Sequence, residues 1–163
     1  MLLSIGVPDD YECNFHTRIN VKPMYADALL WDVMDMQSNK DEPLSLRAIG
    51  AFALFGMPVI DTKMKMESLE ISELECFVKG ALKSLSDLLQ LVKGNEEDWF
   101  YAEEKKLSQY YQNDALRLMI LLQSEKYAEA MEYVSNSDSD TGGFENKGSN
   151  LYVRVIEYCR KRI

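Results

Sequence analysis

At 163 residues and 18.8 kDa, with 47% hydrophobic and 28% charged residues, the chain has the balance of a globular protein that buries roughly two thirds of its unfolded surface, not that of a disordered segment. Twenty-seven acidic against 18 basic residues leave a net charge of −9, which disfavours direct nucleic-acid binding, since phosphate contacts need clustered Lys and Arg, and favours a basic protein partner. The three cysteines, Cys13, Cys76 and Cys159, are too scattered for a disulfide framework, 1–8 lacks the basic start of a signal peptide, and the longest apolar run, 48–60, is too short to span a bilayer, so a cytoplasmic location without membrane contact is expected.

Pro23 stands where a helix start tolerates proline, and 24–37 carries Tyr25, Leu29, Val33 and Met36 on one face at helical spacing. After a polar break at 39–43, a mostly apolar second helix runs through Ile49, Phe52, Ala53 and Phe55 until Gly56 and Pro58 stop it. So few polar residues place it at the centre of the fold. In 58–71, Met64 and Met66 alternate with Lys63, Lys65 and Glu67 as a short strand would, and the stretch is read as an extended connector. Ser72 and Glu75 have the spacing of a capping box. From there Leu74, Phe77, Val78, Ala81, Leu82, Leu85, Leu89 and Val92 trace one helical stripe to Gly94, with Glu75, Lys79 and Lys83 on the solvated face.

Asn95 caps a fourth helix whose first turn, Glu96, Glu97 and Asp98, puts negative charge where the helix dipole favours it. Its stripe continues through Phe100, Leu107, Tyr111, Ala115, Leu118, Met119 and Leu122, with a break at Asn113 and Asp114. Tyr127, Ala130, Met131 and Val134 form a short fifth helix, and 135–150, rich in Ser, Asp, Asn and Gly, is a mobile loop. Leu151, Val155, Tyr158 and Cys159 support a last helix ending in Arg160, Lys161 and Arg162. The stretch 115–134 resembles one hairpin of a tetratricopeptide repeat, with Leu121, Tyr127 and Ala130 near signature positions. Arg117 and Leu118 depart from the family's large-then-small apolar pair, and no second copy recurs at the required period. The resemblance implies helices packed as successive antiparallel hairpins. The expected fold is therefore all-α, a single domain over 1–163 of five to six helices in a bundle or in irregular antiparallel hairpins.

Chemistry-bearing residues are sparse. Cys13 and His16 have the C-x-x-H spacing of half a zinc site without the other half, and no orienting carboxylate marks them as a nucleophilic dyad. Asp138, Asp140, Gly142 and Gly143 resemble the opening of a calcium loop, but Gly142 replaces the ligand at position five and Ser149 the bidentate Glu at position twelve. The pairs Glu96/Glu97 and Glu103/Glu104 read as solvated carboxylates. No catalytic residue, metal or cofactor is expected, and the chain is read as non-enzymatic.

Two surfaces remain. Asp27, Trp31 and Asp35 share one line of the first helix with Asp32 beside it; Trp31 is either an aromatic anchor with an acidic rim or core, and core is favoured because large aromatics are seldom left bare. The second surface is Glu96, Glu97 and Asp98 with Trp99 and Tyr101, where the helix dipole already accounts for the acids. The expected function is binding to a basic protein, as an intracellular immunity protein or antitoxin blocks a toxin's cationic active site. The alternative is a helical adaptor or secretion chaperone holding its client in a hydrophobic groove. Oligomeric state is left open.

Overall fold

The computed structural model describes residues 2–6, 13–41, 52–66, 70–107, 114–137 and 144–163. Six α-helices make the described chain predominantly helical: α1 Tyr25–Val33, α2 Ile71–Val92, α3 Glu96–Leu107, α4 Asp114–Gln123, α5 Tyr127–Asn136 and α6 Leu151–Arg160. To these the structure adds strands that a purely helical reading does not contain: β1 Leu2–Gly6, β2 Cys13–Val21, β3 Met57–Met66 and a short hairpin of β4 Glu145–Asn146 with β5 Ser149–Asn150. The helix expected over 45–56 lies largely outside the described residues, as does the calcium-like stretch 138–143.

Contacts group the chain into two compact units, each built from two stretches: Met1–Val21 with Gly56–Tyr110, and Lys22–Phe55 with Tyr111–Ile163. The first holds an antiparallel sheet of order β1-β2-β3 together with α2 and α3. The stretch read as a connector at 58–71 is mostly β3, an edge strand paired with β2 from Cys13↔Met66 to Val21↔Met57. Its Lys/Met alternation is the period of two of a strand. Pro58 is tolerated because it sits on an edge strand, beside a bulge between Ile19 and Asn20. Arg18 and Asp61 stand opposite each other and join in a cross-strand ion pair at 2.9 Å. Gly56 does not end a helix here; it allows close approach, since a Cβ at this position would meet the Val21 carbonyl oxygen at 2.8 Å.

In α2 the predicted stripe is helical as expected, but the helix starts at Ile71, one residue before the proposed cap. Glu70 is the flanking residue whose carbonyl accepts from the amides of Glu73 and Leu74, so Ser72 lies inside the first turn. Gly94, at φ +78°, follows its end as expected.

The second unit is a four-helix cluster in which α1 packs on α4 and α6, α4 on α5 and α6, and α5 on α6. Its core is Ala26, Leu30, Trp31, Val33 and Met34 from α1, Leu116, Leu118, Met119 and Leu122 from α4, Ala130 and Val134 from α5, and Leu151, Val155 and Cys159 from α6. Burying each of the larger side chains contributes about 1.5–3 kcal/mol. The α4–α5 hairpin turns at Glu125 (φ +57°), and α6 is capped by Asn150, whose side-chain oxygen accepts from the Val153 amide at 3.0 Å. Within the segment expected to be a mobile loop, 145–150 is instead the β4–β5 hairpin, turning through Lys147 and Gly148, both at positive φ. The Asn146 amide ties it to the Met34 carbonyl at 2.7 Å.

Candidate partner-binding surface

The line on α1 is not a surface. Trp31 is 2% exposed, and its indole N–H donates to the Phe52 carbonyl at 2.9 Å. Asp27 is fully buried; its Oδ1 accepts from the Lys22 ammonium at 2.8 Å and from the Leu54 amide at 2.9 Å. Lys22 also donates to the Leu54 carbonyl at 2.7 Å, so one ion pair clamps the irregular segment following Phe52 onto α1. Asp27 Oδ2 is buried without a hydrogen-bond partner among the described residues. Of the two readings of Trp31 the favoured one, core, holds; the placing of Asp27 and Trp31 on a partner-binding surface is corrected, because the segment at 52–54 covers this side of α1.

Asp32 and Asp35 do reach the surface, and each is held by a lysine. Lys40 and Gln37 donate to Asp32 at 2.5 and 2.8 Å. Burial works against the Asp32 charge, but these two donors outweigh it and hold the carboxyl below its ordinary range. Lys147 donates to Asp35 at 2.5 Å and holds its carboxyl low in the same way.

The second group is differently placed. Glu96, Glu97 and Asp98 are all exposed on the first turn of α3, and Trp99 and Tyr101 beside them are half-buried. The α3 helix opens with the Trp99 amide donating to the Asn95 carbonyl at 3.1 Å. Glu96 reaches back to accept from the Gly94 amide at 3.0 Å, and that hydrogen bond lowers its carboxyl's pKa. Tyr101 stands edge-on to buried Phe100, centroids 5.8 Å apart, which fixes its ring. Among the described residues neither Glu97 nor Asp98 is in an ion pair. This turn thus keeps carboxylates that the α1 line has already spent on lysines.

Other groups of possible chemical use are accounted for by packing. Glu103 pairs with Lys106 one turn on. Cys159 is buried, and burial pushes its thiol above the ordinary value, which makes it a poor nucleophile. Cys13 and His16 both lie on β2, and no cluster of three potential metal ligands occurs among the described residues.

Sequence reasoning missed Asp114, which opens α4 and accepts hydrogen bonds from the hydroxyls of Tyr133 and, at 3.1 Å, Tyr152, pinning α5 and α6 to the start of α4. Burial first, then the Asp114 carboxylate, push the Tyr133 hydroxyl up to about 12, despite the Arg117 guanidinium 5.7 Å from the ring centre. The folded value lies above the ordinary 10.0. The pin is therefore complete below about pH 10 and is lost as pH rises through about 12. Ultraviolet titration should show a tyrosine ionising in that upper range, and Tyr133→Phe should remove the step; an unchanged titration would contradict the pin.

No described helix is long and apolar enough to cross a membrane. No protein-family model, curated protein or solved structure matches the chain.

Proposed function

We propose that the chain is a non-enzymatic, cytoplasmic binding protein that neutralises a basic protein partner, in the manner of an immunity protein or antitoxin that fills a toxin's cationic active site with carboxylates. The observation that supports this reading is the contrast between the two acidic groups. Asp27, Asp32 and Asp35 are each matched by a lysine, whereas Glu97 and Asp98 stand exposed and, among the described residues, outside any ion pair, beside two half-buried aromatic rings. The acid surplus is also uneven: the unit carrying α3 has 14 acidic against 8 basic residues, the other 13 against 10. Its field would steer a cationic partner toward α3, with Trp99 and Tyr101 supplying contact once water is expelled.

Full-length tagged protein, used as bait in extract of its native cell, should retain a basic protein. Glu97→Gln with Asp98→Asn, which leaves the Glu96 hydrogen bond and the helix in place, should weaken that retention about tenfold, in line with the loss of two interfacial charges. Recovery of no basic protein, or retention untouched by the double replacement, would remove this reading.

A further inference from the structure

We propose that the end of α1, the β4–β5 turn and α6 form a binding site for a phosphate group, with Arg154 and Lys161 as the residues that hold it. The site lies within the four-helix unit and shares no residue with the α3 surface.

Two turns bring the charges together. Asp35 and Lys147 both take the left-handed conformation, at φ +57° and +51°, one closing α1 and the other turning the hairpin. Lys147 donates to Asp35 at 2.5 Å, and the Asn146 carbonyl accepts from Arg154 Nη2 of α6 at 3.4 Å. Lys161 follows Arg154 by two helical turns, which puts it on the same side of α6. It is exposed and, among the described residues, in no ion pair. The Asp35 carboxyl is held low by Lys147 first and then by Arg154 and Lys161, so three cations stand within electrostatic reach of one carboxylate.

Arg154 is the group the fold leaves short of partners. Its side chain is only 19% exposed, yet one of its five N–H donors is engaged among the described residues, and at the long distance of 3.4 Å. The Glu157 carboxylate stands 3.8 Å away, beyond hydrogen-bond reach, and the buried Nε has no partner among the described residues. A guanidinium so far withdrawn from water costs stability unless an anion bonds it. The C-terminal ends of α1 and α6 attract cations to this region through their dipoles, but that attraction supplies no acceptor for Arg154.

The balance of charge selects the ligand. Lys40, Lys147, Arg154, Lys161 and Arg162 surround the end of α1, and the carboxylates among them are Asp32, Asp35 and Glu157. Five against three leaves a formal excess of two positive charges, in a chain whose net charge is −9. A phosphate dianion matches that excess and offers the paired oxygens that a guanidinium bonds. One carboxylate supplies only half the charge.

Calorimetric titration of the full chain at fixed ionic strength should detect binding of inorganic phosphate and of a phosphoserine peptide, and none of the same peptide unphosphorylated. The tighter of the two phosphate probes tells whether the site takes a free ion or a phosphorylated chain. For the peptide, the dissociation constant should fall several-fold between about pH 5 and about pH 7, because the second phosphate proton leaves near pH 6. Asp32 and Asp35, both held low, are ionised throughout that range. Lys161→Gln, at an exposed position, should raise the constant about fivefold and Arg154→Gln about tenfold or more, while Arg154→Lys recovers only part of that loss. Helical circular dichroism should show that the Lys161→Gln protein keeps its fold. No heat from either phosphate probe, equal affinity at both pH values, or binding indifferent to Lys161→Gln would each overturn the proposal.

Discussion

Asp27→Ala should destabilise the four-helix unit by about 3–5 kcal/mol, the cost of removing one partner from a buried ion pair. The change strands the Lys22 ammonium, whose side chain is only 15% exposed, and leaves the Leu54 amide without its acceptor. Asp27→Asn should cost less, because the amide oxygen still accepts from Leu54. Removing both charges, with Lys22→Met and Asp27→Leu, should cost less than Asp27→Ala alone, since only the Leu54 amide and carbonyl then need new partners. Urea unfolding of these proteins, with Lys22→Met and Asp27→Leu also made singly, measures this directly. Strict additivity of the two single replacements would show that the pair is not coupled.

Trp31→Ala should cost a further large amount, about 3–5 kcal/mol, because it empties a site that is 2% exposed between packed helices. Trp31→Phe separates the two contributions of the indole. It keeps most of the packing but orphans the Phe52 carbonyl, and should cost about 1–3 kcal/mol. If Trp31 were an exposed anchor, both replacements would leave the unfolding midpoint in place and appear only in binding.

These two side chains also show how far the residues could be read without coordinates. Periodicity located α2, α4, α5 and α6, because long apolar stripes at 3.6-residue spacing are local information, and Gly94 marked a stop visible in the sequence. The end of α1 was not visible. The helix stops at Val33, and Asp35 takes the left-handed conformation at φ +57°, with the Met36 amide donating to the Trp31 carbonyl and the Asp35 amide to that of Asp32. That closure is the one glycine normally makes, and Glu125 repeats it after α4. With no glycine at either place, a pattern search extends α1 to Gln37.

The sheet was legible and not used. Phe15, Thr17, Ile19 and Val21 alternate with Asn14, His16, Arg18 and Asn20, a strict period of two across β2, and Met64 and Met66 do the same in β3. What no local pattern supplies is partnership across the chain. The Leu54 amide meeting Asp27 spans 27 positions, and Lys147 meeting Asp35 spans 112. Since those partners decide which carboxylates remain unmatched, the choice between the two acidic groups could be made only from coordinates.

The most direct test of the acidic α3 turn as a binding surface is the affinity of the retained partner as a function of ionic strength. Carboxylates engaging a basic protein predict a dissociation constant that climbs steeply from low to high salt, with the slope flattened by Glu97→Gln and Asp98→Asn. An affinity that stays level across the same range would contradict it and point to a client held by apolar contact.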